Sequence, residues 1–284
     1  MIDGVPVTGA ATYGVRLTGT GGDVTLQGMS VTGGSYGVCM EGTQDGVLLD
    51  EMTISGSSNG VYLSGHLTGV VLEDSDILAT TSYGIQKYTY SRLDGVTIAR
   101  VTVTPMSGTG IALYDYDGHI SYRLTDVVIE DVVTSGGAGG IYVYTANSEG
   151  GNVTITRCDV SNTAGHGIVL QNGRGTLVVT DNDVSGVTGG SNYGLSLQGA
   201  NTDPRQAITL SGNTVDDCAN GLCLYRLDLT DNGGVVTPTE VAFTDTHGMV
   251  LNLTQMAGVT VSRYESVSYT HLRAHETVLD LVCR

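Results

Sequence analysis

The sequence is short of most of what a helical or mixed globular domain uses. Its 284 residues include no Trp, one Phe, 4 Pro and a single Lys, Lys87. Basic residues number 12 against 29 acidic ones, a formal charge of -17. That balance repels polyanions, so a nucleic-acid partner and an electrostatic hold on anionic membranes are excluded. No apolar run approaches the roughly 18 residues of a membrane span, so membrane insertion is not expected. The 5 Cys form no CxxC pair and show no metal spacing. Met1 is not followed by a basic and then apolar leader, and the chain opens inside a repeat. It therefore reads as a piece truncated at both ends, with any export signal outside it.

Gly is what the chain has in excess, at 42 residues. So much Gly with so little Pro and no triplet period excludes collagen, and the many Val, Ile and Leu residues exclude disorder. Many short strands joined by many tight turns remain, with Gly supplying positive φ in the turns.

A short motif, Gly followed by apolar, any and apolar residues, recurs along the chain. It reads Gly14-Val15-Arg16-Leu17, Gly37-Val38-Cys39-Met40 and Gly60-Val61-Tyr62-Leu63, then continues from Gly84, Gly110, Gly140, Gly167, Gly194, Gly221 and Gly248. Successive spacings are 23, 23, 24, 26 and 30, and thereafter 27. A second motif lies between copies: Val24, Leu26, Met29, Val31; then Val47, Leu49, Met52, Ile54; later Val153, Ile155, Cys158, Val160. Its period of two marks strands with one buried face. One coil cannot bury that face alone, so coils must stack, with like residues in columns. One such column reads Met29, Met52, Ser75, Val101, Val132, Cys158, Asn182, Asn213. Asn182 and Asn213 are expected to form an internal amide ladder, and Cys158 to be an inert core thiol. Leucine-rich repeats share the period but need dominant Leu and a helical convex side, which are missing here.

The fold class expected is all-β: a single-stranded, right-handed parallel β-helix solenoid of about ten coils. The pattern resembles the right-handed parallel β-helix repeat family of the pectin-lyase-like superfamily, over roughly Gly4 to Val261. The resemblance implies a scaffold shared by pectin-processing enzymes, tailspikes, alginate-modifying enzymes and surface proteins, and so an extracellular or cell-surface location. Residues 1–267 form the repeat domain. From Ser268 to Arg284 Gly disappears and the repeat breaks; this tail resembles a translated sequencing adapter and is read as non-native. Its His271, His275 and Glu276 have a zinc-like spacing, but no metal site is assigned there.

Asn201-Thr202-Asp203, Asp216-Asp217-Cys218 and Gly165-His166-Gly167 are similar to motifs of the polygalacturonase family. An inverting hydrolase needs carboxyls about 6.5–9.5 Å apart across the scissile bond. In that family they sit just before the Gly strand. Here that column reads Tyr13, Tyr36, Asn59, Tyr83, Thr109, Gly139, His166, Tyr193, Asn220, His247, with no acid. The family's downstream R-I-K motif is missing as well. Lyase chemistry would need a base, from Lys87, Arg92, Arg123, Arg157 or Arg174, and a cation beside the uronate. Ca²⁺ is the only cofactor the sequence suggests. The loops Asp181-Asn182-Asp183-Val184-Ser185-Gly186 and Asp115-Tyr116-Asp117-Gly118 are incomplete as Ca²⁺ loops and read as turns.

The repeat is least regular around Gly84, Gly110 and Gly140. Lys87 occupies a position that is apolar in every other copy, so its strand should bulge or its ammonium should reach solvent. Four residues after each repeat Gly, an outward column reads Thr18, Glu41, Ser64, Tyr88, Tyr114, Tyr144, Gln171, Gln198, Tyr225. Tyr88, Tyr114 and Tyr144 would form a ladder, widened by Tyr90, Tyr116 and Tyr142. Tyr faces stack on sugar rings, so this flank, with Arg92, is the candidate polysaccharide-binding surface. The alternative is a ladder that stacks for stability alone. Lys87, Asp115, Asp117, His119 and Arg123 are the only loose catalytic set. A polysaccharide-binding scaffold is the leading expectation; a lyase or hydrolase, and a structural stalk or adhesin, are the alternatives.

Overall fold

The structure, a computed structural model, describes residues 1–115, 123–145, 151–171, 175–199, 207–225, 236–238, 241–249, 251–254 and 265–267. It is a right-handed parallel β-helix. Its strands form an 18-stranded sheet that bends around two faces and an 11-stranded sheet that closes the third. The third face has one strand per coil, from Val7–Ala10 to Glu265–Val267, so the coil number is close to that given by the repeat glycines. No helix among the described residues is long and apolar enough to cross a membrane.

Register follows the repeat. The residue after each repeat Gly from Gly14 to Gly221 forms one inward column, Val15, Val38, Val61, Ile85, Ile111, Ile141, Ile168, Leu195, Leu222; in the last coil the column continues with Leu251, three residues after Gly248. Between Val38 and Leu222 every member is at most 3 % exposed. Each such aliphatic side chain contributes about 1.5–3 kcal/mol on burial. In a parallel stack that gain recurs once per coil.

The repeat Gly is fixed by close approach and not by φ. A Cβ on Gly60 would lie 2.3 Å from Ile77 Cγ2 and 2.5 Å from the Gly84 carbonyl oxygen of the next coil. The positive-φ corner lies elsewhere, after the second strand of each coil. Glu51, Asp74, Arg100, Asp131, Arg157 and Asp181 stack there with φ of 51°, 48°, 54°, 52°, 53° and 57°. A left-handed residue costs roughly 1–2 kcal/mol. Here the corners are braced: Arg100 bonds Asp74 and Glu73 at 2.7 Å, and Arg157 bonds Asp131 at 2.7 Å and Glu130 at 2.8 Å.

The amide ladder is present. Asn182 Nδ2 donates to Asn213 Oδ1 at 2.8 Å, Asn182 Oδ1 accepts the Cys158 N–H at 3.0 Å, and Asn213 Nδ2 donates to the Val179 carbonyl at 2.8 Å. Cys158 is buried beside it, and burial pushes its thiol up to about 12, so it stays protonated and inert.

The first coils are tightly closed. Strands Tyr36–Asp50 and Asn59–Glu73 each run 15 residues around a corner held by Gly42 and Gly65. In the fourth repeat two strands, Tyr83–Lys87 and Arg92–Ala99, replace the continuous one, and in the fifth and sixth repeats the corner position holds Asp115 and Thr145.

Candidate functional site

Lys87 sits at the change. Its strand Tyr83–Lys87 keeps register on both sides, with Lys87 opposite Leu63 and Leu113 and no bulge. The side chain is 1 % exposed, so the expected bulge or escape to solvent does not occur. Its ammonium instead turns onto backbone: Nζ donates to the Tyr114 carbonyl at 3.1 Å and the Tyr88 carbonyl at 3.3 Å. Burial pulls its pKa down to about 8, while nearby Asp115, itself 1 % exposed, holds it up. Lys87 and Asp115 are thus both buried in the wall, away from the outer surface.

The remaining candidates divide. Tyr116, Asp117 and His119 lie outside the described residues. Arg92 is ion-paired to Asp94 at 2.5 Å, and Asp94 also accepts from the Thr125 hydroxyl at 2.8 Å. Arg123 is half-buried and gives its carbonyl to the Leu93 N–H at 2.8 Å.

The tyrosines fall into two sectors. Tyr88 packs its ring on Tyr62 and Tyr90 rather than on Tyr114. It ends a strip of rings, Tyr13, Tyr36, Tyr62, Tyr88 and Tyr90, with centroids 5.5, 4.6, 6.1 and 5.5 Å apart. Tyr13 and Tyr36 stack, the later contacts are tilted or edge-on, and Arg16 caps Tyr13 while pairing with Glu41. Only Tyr88 and Tyr90, at 40 % and 52 % exposed, present open surface.

The second sector forms a pocket. Tyr114 and Tyr144 are register partners on adjacent coils. Their column continues with Gln171 opposite Tyr144 and Gln198 opposite Gln171. These side chains make one wall of a hollow of about 300 Å³, with Tyr142 and Val169 as its floor and His166 on the far side. Gly139 makes the floor possible: a Cβ there would lie 2.7 Å from the Tyr142 ring, which fills the missing side chain's place. The Tyr142 hydroxyl then accepts the His166 backbone N–H at 2.9 Å. His166 stacks on Tyr193 with centroids 6.0 Å apart at 5°, and its Nδ1 accepts the Tyr193 N–H at 2.9 Å. That bond assigns the proton of the neutral ring to Nε2. Burial lowers the His166 pKa from its ordinary value and raises that of Tyr142. Both groups are uncharged at neutral pH.

Of these residues, Tyr114, Tyr142 and Tyr144 stand among those singled out from sequence. Gln171 and Gln198 were visible in the outward column, and His166 and Tyr193 in the column before the repeat Gly. Only His166 stood in a motif, Gly165-His166-Gly167; the grouping was not legible because the pocket joins two columns that are five residues apart on each coil.

Two other polar groupings are less suited to a ligand. A hollow of about 410 Å³ near Thr188 and Ala219 includes His247 and Asp217, whose side chains pair with each other at 2.8 Å, both 66 % exposed. Asp216 takes the Thr244 hydroxyl, so this acidic pair serves the corner and not the outer face. Asp50, Glu73 and Asp74 bring carboxylates within 4.8 Å, but Arg100 occupies Glu73 and Asp74, and Gln27 donates to Asp50 at 3.0 Å. In the proposed Ca²⁺ loop, Asp181 is a left-handed corner residue and Asp183 accepts from Thr214 at 2.6 Å.

The fold and its outer pocket define a β-solenoid that displays side chains in columns along one face. The chain matches the family model for a right handed beta helix region over residues 1–115 and 88–262, and it belongs to that family. No curated protein and no solved structure matches it significantly.

Proposed function

We propose that this β-helix is a carbohydrate-binding scaffold of the cell exterior or cell surface, taking a polysaccharide segment in the pocket between Tyr144, Gln198 and His166. The observation that carries this reading is the wall of two tyrosines followed by two glutamines in one column, facing a neutral imidazole across an aromatic floor. Aromatic surface suits the C–H face of a sugar, and amides suit its hydroxyls. Acidic composition and membership of a β-helix family support the location. Support for binding over turnover comes from the described lining, which contains no carboxylate to act as general acid beside a second carboxyl.

Affinity electrophoresis of the whole chain in gels containing a panel of polysaccharides tests the proposal. At least one polysaccharide should retard the protein. Tyr144→Ala with Gln171→Ala should weaken that retardation about ten-fold or more, with an unchanged circular dichroism melt. Retardation untouched by the double variant overturns the pocket as the site. Release of reducing or unsaturated ends during the same incubation would make the chain a hydrolase or lyase.

A further inference from the structure

The pocket also carries information on ligand charge. We infer that it selects neutral, hydroxyl-rich sugar units over uronate or sulfated ones; this rests on the carbohydrate-binding reading above and specifies its ligand.

The first argument is the lining. Its described polar groups are the phenols of Tyr114, Tyr142 and Tyr144, the amides of Gln171 and Gln198, and the His166 imidazole. A sugar hydroxyl donates and accepts at once, and these groups match it. Tyr142 accepts the His166 N–H through its oxygen and keeps its own O–H to donate. Gln198 Nε2 donates to Ser196 at 3.2 Å, which leaves its carbonyl oxygen to accept. His166 receives the Tyr193 N–H on Nδ1 and so offers Nε2–H as a neutral donor. A carboxylate or sulfate accepts only, and its strong partners are Arg forks, ammonium groups and bound cations. None is among the described lining residues.

The second argument is where the described cations are. Arg16 is held by Glu41, Arg92 by Asp94, Arg100 by Glu73 and Asp74, and Arg157 by Glu130 and Asp131. The Lys87 ammonium is in the core on two carbonyls. Arg123 makes no ion pair among the described residues, but it is half-buried and does not line the pocket. Cationic charge on the described surface is therefore largely neutralised within the fold, while the chain carries -17 overall. A polyanion approaching such a surface is repelled at long range and meets no Arg fork among the described pocket residues.

The experiment compares neutral glucans, mannans and galactans with polygalacturonate, alginate and dextran sulfate, using the full chain, Gln198→Ala, Gln171→Ala and Gln198→Arg. Each is run at about 20 and 150 mM salt, one well below and one at the physiological screening range. A neutral glycan bound at least ten-fold more tightly than every polyanion, insensitive to salt and weakened in both alanine variants, is the expected result. Gln198→Arg, which adds a fork without removing the wall, should move the preference toward polyuronate. Polyuronate or sulfated glycan bound best, and lost in the alanine variants, overturns the selectivity while leaving the pocket as the binding site. Binding of no glycan, or binding that ignores all three variants in folded protein, overturns the carbohydrate reading itself and the selectivity with it.

Discussion

His166 Nδ1 accepts the backbone N–H of Tyr193 at 2.9 Å, one coil further along the solenoid. Two coils later in the same column, Asn220 Oδ1 accepts the backbone N–H of Met249 at 2.9 Å. Imidazole nitrogen and amide oxygen thus perform one structural task. Only the imidazole titrates in the physiological range.

A pH dependence follows. Burial lowers the His166 pKa in the folded state below its ordinary 6.5, so between those two values the unfolded chain binds the extra proton. The contribution is whole above about pH 6.5 and is lost as pH falls through the folded value. Urea midpoints between pH 7.5 and pH 5 should fall less in His166→Asn than in the parent, and the variant should match the parent at pH 7.5. Equal pH slopes would show that His166 does not contribute.

Removing one rung of the amide ladder should be severe. Asn213→Ala leaves the buried Asn182 N–H and Nδ2 without the oxygen they share at 3.1 and 2.8 Å. An unsatisfied buried polar group costs about 1–3 kcal/mol, so a loss of about 2–5 kcal/mol is expected in chemical denaturation. In a double-mutant cycle with Asn182→Ala the two losses should fall short of additive by at least about 1 kcal/mol. Additive losses would mean the ladder is not a coupled unit.

Lys87 gives a pH dependence of the same sign on the alkaline side. Its pKa is about 8 in the fold against 10.5 in the unfolded chain. Between these values the unfolded state holds the proton and the folded state has released it, so stability rises with pH across that window. The full rise is up to about 3 kcal/mol. Denaturation measured between about pH 8 and 9.5, below the ordinary tyrosine range, should show part of this rise in the parent and none in Lys87→Met. A rise of equal size in the variant would assign it to another group.

Gly60→Ala tests the reason for the repeat glycine. The added methyl meets Ile77 Cγ2 at 2.3 Å and the Gly84 carbonyl oxygen at 2.5 Å. Overpacking of this kind costs about 1–3 kcal/mol, occasionally more. Adding Ile77→Ala should not restore stability, because the Gly84 carbonyl belongs to backbone. Full rescue would mean that only the side-chain contact matters.

The sequence by itself determined the solenoid. Gly followed by alternating apolar residues repeats often enough to fix register, and register places Val38, Val61, Ile85 and their successors in one column. Asn182 and Asn213 were legible for the same reason, since a column position occupied elsewhere by Met and Val forces an amide inward, where another amide must answer it. Tertiary structure decided what happens between columns. Lys87 was expected to leave the core, but the carbonyls of Tyr88 and Tyr114, from two coils, accept from its ammonium, and Asp115 raises its pKa from nearby, a satisfaction no linear spacing displays. Tyr88 packs instead against Tyr62, from a different column, while Tyr114 lines the pocket with Tyr144. The pocket itself arises because Gly139 lets Tyr142 lie across its own coil toward His166. Periodicity sets which residues stack along the axis; the directions of side chains across the strand, set by packing, decide which stacks meet.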